Sequence, residues 1–253
     1  MASQWENFQR NLGEWRGSFT SLTADGTVLE SSPSVLTLDR DDDGRLVRFG
    51  LRRWSAGTVQ ANAGGPGDGA GEPTREVQQD YRTLGRQVVF FASGSFCKGA
   101  LQVAPATPCG GEFGFIEADR RHRLVQLYGS DGSVQQLVLI REFRAGSGAV
   151  ERQATTADQL LGQWQGEQAT ITADWPEPEV ASSSLELDSA SLSGFLLLPD
   201  GGFCRFPQRV SHREPFTLEA GWLPEPGRME RLIRRYDGSG AWISATQEQL
   251  RRC

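Results

Sequence analysis

The sequence predicts an all-β protein built from two tandem antiparallel β-barrels, the second shorter than the first and each preceded by a short helix. Three observations carry this expectation. The motif Gly13-Glu14-Trp15-Arg16-Gly17 returns as Gly162-Gln163-Trp164-Gln165-Gly166, placing the two tryptophans 149 residues apart. After each copy come short alternating runs separated by Gly, Asp and Ser turns, the pattern of an up-and-down barrel. Two further blocks recur in the same order: residues 94–98 match 201–205, and residues 123–128 match 231–236. Blocks that repeat in order indicate internal duplication.

Trp5, Phe8 and Leu12 are spaced by three and four, which predicts a short amphipathic helix over 5–12 that closes at Gly13. From there the period becomes two. Strands are expected over 15–22, 27–38, 45–54, 75–83, 87–92, 95–103, 111–117, 121–128 and 134–143, the second of them broken near Pro33. Asp39-Arg40-Asp41-Asp42-Asp43-Gly44 opens like a calcium-binding EF loop, but Gly50 stands at the twelfth position, where that loop needs a bidentate Glu. It reads as a hairpin turn. The glycine-rich residues 61–71 bury too little apolar surface to offset their ordering entropy and read as a mobile loop inside the first barrel.

Ala145-Gly146-Ser147-Gly148 reads as a linker, and Thr156 as the cap of a second leading helix over 155–161. Strands then follow over 163–171, 182–188, 194–198, 202–210, 216–223, 228–236 and 241–246. The expected organisation is a first barrel over 1–145, a linker over 146–154 and a second barrel over 155–253. Trp15 lies 82 residues before Cys97, whereas Trp164 lies 40 before Cys204. The shortfall of 42 residues removes a loop and two strands, so the second barrel is expected to be open or to borrow an edge from its neighbour. An open barrel exposes a surface for a partner.

A net charge of −6 and a pI near 5.1 give no basic field for a phosphate backbone, which argues against nucleic acid as a partner. No run reaches the roughly 20 apolar residues of a membrane-spanning helix, and the N-terminus lacks the pattern of a secretion signal. A soluble intracellular protein with free thiols is expected. Cys97, Cys109, Cys204 and Cys253 show no metal-ligand spacing. Cys97 and Cys204 occupy equivalent positions and read as small core residues, because alternation puts Lys98 and Arg205 on the opposite strand face. His122 and His212 lie in no nucleophile or metalloprotease motif, and no carboxylate pair stands out, so nothing points to an enzyme.

The tryptophans of the repeated motif read as plugs at the barrel ends, with Arg141 as a cation to stack on Trp15. Two basic stretches are the candidates for binding. One runs through Arg45, Arg48, Arg52 and Arg53 to Trp54; the other is Arg120, Arg121, His122 and Arg123. Arg48, Arg52, Arg53, Trp54, Arg121 and Arg123 form the candidate set, suited to an acidic partner or a carboxylate ligand. The plainer alternative is a solvated barrel exterior.

A G-x-W-x-G motif after a short helix, followed by a barrel pattern, resembles the calycin superfamily of lipocalins and fatty-acid-binding proteins. The longer run from Trp5 to Thr20, with its tandem second barrel, resembles a two-barrel calycin-like family of cyanobacteria and plastids. That family includes a plant assembly factor for the F1 sector of the chloroplast ATP synthase. The resemblance covers essentially the whole chain, most securely residues 1–55 and 85–145. It implies a non-enzymatic protein, in a cyanobacterial cytoplasm or a plastid stroma, that helps bring together F1 subunits such as β and γ. It carries over no contact residues and no cofactor or metal. More distantly the chain is similar to the S-type bilin lyases, which implies an alternative: a tetrapyrrole held at a barrel mouth, its propionates anchored by Arg48, Arg52 or Arg123. A lipid or carotenoid is a further alternative ligand.

Overall fold

The computed structural model describes residues 2–56, 71–175 and 177–253. Of the expected glycine-rich loop, residues 61–70 lie outside these.

Period-two alternation is realised in nine strands of the first half: β1 (Gly13–Leu22), β2 (Val28–Arg40), β3 (Val47–Arg53), β4 (Arg75–Tyr81), β5 (Val88–Phe90), β6 (Phe96–Gly99), β7 (Cys109–Glu117), β8 (Arg120–Tyr128) and β9 (Val134–Arg144). Their order is β4-β3-β2-β1-β9-β8-β7-β6-β5, so the first strand pairs with the last and the antiparallel sheet curls upon itself. Ahead of it, α1 (Gln4–Gln9) is started by a capping box in which Ser3 accepts from the Glu6 N–H and Glu6 accepts from the Ser3 N–H. The helix is pinned at both sides: Gln4 exchanges two hydrogen bonds with the backbone of Phe90, and the Trp5 indole donates to Gly44 O. Phe8 thereby enters the barrel interior with Trp15, Leu36, Leu38 and Val47.

Pro33 does not break β2. Its carbonyl accepts from the Trp54 N–H at 3.0 Å, and a strand residue points its N and its C=O to the same side. The missing donor therefore falls at the end of the β3 ladder, where no bond to β1 is lost. In the following turn the Asp41 carboxylate accepts from the N–H groups of Arg45 and Leu46, so it serves the hairpin.

The second half holds α2 (Ala157–Leu160), β10 (Gly162–Thr172), β11 (Glu179–Leu187), α3 (Ser189–Leu192), β12 (Leu196–Leu197), β13 (Gly202–Arg205), β14 (Phe216–Glu225), β15 (Arg228–Tyr236) and β16 (Trp242–Arg252). The order β11-β10-β16-β15-β14-β13-β12 repeats that of the first sheet with the counterparts of β3 and β4 missing. This is the shortfall that the Trp-to-Cys spacing implied. Among the described residues, the edge that β3 covers on β2 is free on β11.

The motif copies are equivalent in detail. The Trp15 indole donates to Asn11 O at 2.9 Å and the Trp164 indole to Leu160 O at 2.8 Å, and both rings are fully buried. A cation stacks on each, but it is Arg144 on Trp15, at 4.3 Å, and Arg252 on Trp164, at 5.1 Å. Arg141, the expected partner of Trp15, lies opposite Ser18 on the neighbouring strand and bonds Ser18, Thr20 and Glu151 instead. The last glycine of each motif is required by the closing strand. A Cβ on Gly17 would lie 1.8 Å from Arg141 O, and one on Gly166 2.0 Å from Gln249 O. Gly17→Ala is therefore expected to destabilise by about 1–3 kcal/mol through overpacking. An unchanged thermal midpoint would show that the strands can separate freely there.

The two barrels pack outer face to outer face. Cys97, Phe113, Leu124 and Tyr128 of the first share one apolar core with Cys204, Trp222, Leu232 and Tyr236 of the second. The polar contacts across this seam come in exchanged pairs. Tyr128 donates to Pro207 O and its counterpart Tyr236 to Ala100 O, each at 3.0 Å. Val103 N–H bonds Gly240 O and Val210 N–H bonds Gly132 O; Trp242 N–H bonds Leu101 O and Val134 N–H bonds Gln208 O. This is the self-complementary pattern of a two-fold dimer, here within one chain.

A buried polar cluster adds to the seam. Asp200 pairs with Arg120 and accepts from the Arg152 N–H, and it lies 3.7 Å from the His122 imidazole, which stacks on Trp222. Burial drives the His122 pKa down, so the ring is neutral. The residues joining the halves are held as well: Thr155 donates through N–H and hydroxyl to Leu198 O and Gly202 O.

Candidate functional site

Strand alternation divides each basic stretch between two faces. On β3, Val47, Phe49 and Leu51 turn inward, so Arg48 and Arg52 stand exposed on the outer face. Arg53 turns inward and stacks on Phe19 at 4.5 Å. Trp54 is buried, its indole donating to Gly71 O. On β8, Arg120 and His122 face the seam, whereas Arg121 and Arg123 point into the first barrel. Neither stretch is a continuous surface patch. The alternation that makes them strands prevents it.

Arg121 and Arg123 instead line a cavity of about 260 Å³ at the mouth of the first barrel, together with Phe8, Leu36, Phe49, Tyr81 and Val88. Arg123 is held by two carboxylates. Its Nε and Nη2 donate to Glu142 at 3.0 and 2.8 Å, and its Nη1 donates to Glu112 at 2.8 Å. Burial would lower its pKa, but Glu142 and Glu112 outweigh that and raise it. Glu142, fully enclosed, is raised by burial and pulled lower overall by Arg123 and Arg121, so it remains ionised. Lys98 approaches the outer side of Glu112 at 4.0 Å.

Arg121 is treated differently. It is 4 % exposed, its guanidinium lies 5.1 Å from the Trp15 ring, and its Nη1 comes no nearer than 3.7 Å to Glu142. Nε and Nη1 are buried without a hydrogen-bond partner. Burial lowers its pKa to about 10, which still leaves it charged near neutrality.

The second barrel supplies an internal control. Arg231, the counterpart of Arg123, is caged in the same way, by Glu219 and Glu248. The positions matching Arg121 and Glu142 are Met229 and Leu250, paired across β15 and β16 and both buried. Glu112 and Glu142 were not among the sequence candidates. Glu112 could have been found from its alignment with Glu219 inside the repeat, whereas nothing local marked Glu142.

Neither buried thiol suits nucleophilic chemistry. Burial pushes Cys97 up to about 12 and Cys204 up likewise. Among the described residues no group of three His, Cys, Asp or Glu side chains is placed to hold a metal ion, and no helix is long and apolar enough to cross a membrane.

The other feature is the edge of β11, which among the described residues pairs only with β10. In the first sheet Leu36 and Leu38 on β2 lie opposite Leu51 and Phe49 of β3. Their counterparts Leu185 and Leu187 have no such neighbour. Most of β11 is exposed, including Val180.

Comparison with known proteins bears on both halves. The family model described as "Domain of unknown function (DUF3598), N-terminal" matches residues 1–147. The model described as "Biogenesis factor required for ATP synthase 1, C-terminal domain" matches residues 151–194 and 188–252. No curated protein matches significantly. Among solved structures, a DUF3598-family protein of unknown function from Nostoc punctiforme PCC 73102 is 33% identical, with 100% of each chain covered and a TM-score of 0.86. The S-type phycobiliprotein lyase CPES from Guillardia theta is matched over 100% of this chain and 93% of its own, at 11% identity and a TM-score of 0.21. A putative outer membrane protein from Bacteroides fragilis NCTC 9343 is matched over 98% and 99%, at 10% identity and a TM-score of 0.27. Given the match over its first 147 residues and the relative that follows it from end to end, the chain belongs to the DUF3598 family.

Proposed function

We propose that the protein is a non-enzymatic assembly factor for the ATP synthase, acting on the F1 sector and receiving an extended segment of an F1 subunit, β or γ, along the free edge of β11. The observation that carries this reading is the coincidence of two features in one half. The shortened sheet is matched by the C-terminal domain of a biogenesis factor for ATP synthase, and the same sheet lacks the strand that covers its counterpart. An edge strand with unpaired N–H and C=O groups takes an added strand by main-chain hydrogen bonds. The first half displays the geometry, with β3 laid along β2.

The test uses the tagged full chain in a native lysate from a photosynthetic cell, with Ser184→Pro as the variant. Ser182 corresponds to Pro33, by their shared register opposite Glu167 and Ser18, and Ser184, two residues on, faces the same side in the middle of the edge, where its counterpart Val35 lies opposite Arg52. A proline there removes a donor from the free edge and leaves the β10 ladder intact. The wild-type chain is expected to enrich F1 subunits, and Ser184→Pro to lose most of that enrichment with its thermal midpoint nearly unchanged. Enrichment of no F1 subunit contradicts the assembly role. Equal enrichment by the variant contradicts the edge as the contact.

A further inference from the structure

We propose that the first barrel binds an aliphatic monocarboxylate of medium chain length, with its carboxylate on the Arg121 guanidinium and its chain among Leu36, Phe49, Tyr81 and Val88. This goes beyond the assembly role and does not depend on it.

Arg121 carries a charge that the fold does not need. A buried donor without a partner costs about 1–3 kcal/mol, and more when it is charged. The second barrel closes the same position with Met229 against Leu250 and keeps the caged arginine beside it. The architecture is therefore served by an apolar residue there, and the first barrel retains a cation.

The nearby acids do not satisfy that cation. Both Glu142 oxygens accept from Arg123, and Glu112 is shared between Arg123 and Lys98. Around the cavity Lys98, Arg121 and Arg123 face Glu112 and Glu142, one positive charge in excess. A single carboxylate balances it and can accept a charge-assisted hydrogen bond from Arg121 Nη2, the guanidinium nitrogen that is not enclosed like Nε and Nη1.

The remaining lining selects the rest of the ligand. It is mostly aliphatic and aromatic, and its charged groups, Lys98, Glu112, Arg121 and Arg123, come from the neighbouring strands β6, β7 and β8, the usual design of a site that orients an amphipathic molecule. At about 260 Å³ the cavity falls below the roughly 300–1,000 Å³ of sites for drug-sized ligands. That favours a narrow chain over a tetrapyrrole.

The test is isothermal titration of the purified full chain with decanoate, decanol and phycocyanobilin. Decanoate is expected to bind at least tenfold more tightly than decanol. Arg121→Met, which copies the second barrel, should erase that preference. Leu84→Trp, which fills the cavity from its lining, should abolish decanoate binding and covers the case in which Arg121→Met does not fold. Absence of decanoate binding, equal affinity for decanol, preference retained by Arg121→Met, binding that survives Leu84→Trp, or phycocyanobilin bound more tightly than decanoate would each overturn the proposal. F1 enrichment by Arg121→Met separates this outcome from that of the assembly role, since the variant leaves β11 untouched.

Discussion

Glu142→Ala is expected to lose about 3–5 kcal/mol of folding stability, the range for removing one member of a buried ion pair. The carboxylate is fully enclosed, and its loss strands two guanidinium groups, Arg121 and Arg123, with Glu112 as their one remaining acid. Glu112→Ala should cost less, about 1–2 kcal/mol, because Glu112 is partly exposed and Arg123 keeps its two-pronged contact with Glu142. Urea denaturation of both variants provides the check, and equal losses would contradict the ranking. The same pair makes the protein sensitive to acid. Glu142 has its pKa lowered in the folded state, so its contribution is complete above the ordinary carboxylate value of 4.5 and fades as the pH falls through the lowered one.

Glu230→Gln is expected to act in the opposite direction. Glu230 lies in the seam, where Gln247 donates to it at 2.6 Å while also bonding Ser93 across the barrels. Ser95 faces it from the first barrel, and Glu117 and Arg228 are the nearby charges. Burial raises its pKa from 4.5 to about 7. For an acid raised in the folded state, the stabilising contribution is complete below 4.5 and is lost as the pH climbs to about 7. Relative to Glu230→Gln, in which this group no longer titrates while buried His122 acts alike in both, the wild-type chain should therefore weaken by roughly 2–3 kcal/mol between pH 5 and pH 8, with the seam loosening first. Glu230→Gln keeps the neutral shape, so its denaturation midpoint should gain steadily on that of the wild type over that interval and exceed it at pH 8. A variant with the full wild-type slope would place the titration elsewhere.

The elements that were legible in the sequence are those fixed by local chemistry or by repetition. G-x-W-x-G marks the start of each barrel because each Trp must reach back to the carbonyl four residues before it and the second glycine must lie under the closing strand. The missing pair of strands followed from one spacing difference. What was not legible depended on which face met which partner. Arg120-Arg121-His122-Arg123 reads as a basic run, yet alternate residues serve a cavity and a seam, and only the docking of the second barrel gives the outer face a buried role. For the same reason β16 was expected to end at 246 and runs to Arg252. Gln247 and Glu248 look like solvent-facing residues, but they are buried against Glu230 and Arg231. The turn α3 was missed because its stop and start lie in short polar residues, with Asp188 capping Ser191. The two halves of the candidate site differ likewise: Arg123 was visible, and Glu112 could have been found through its copy Glu219, whereas the isolation of Arg121 becomes apparent only when both acids are seen bonded to its neighbour.

Strand addition along β11 is the step on which the proposed role of the shortened sheet depends. Hydrogen exchange of the full chain, followed with and without added F1 β or γ subunit, tests it most directly. The amides of Val180, Ser182, Ser184 and Glu186, which face the free edge, should become markedly slower in the presence of one of these subunits, while those of β2 under β3 stay unchanged. If both subunits bind but leave residues 179–187 exchanging at the rate of the isolated chain, the edge is not the contact and the shortened sheet does not receive a partner's strand.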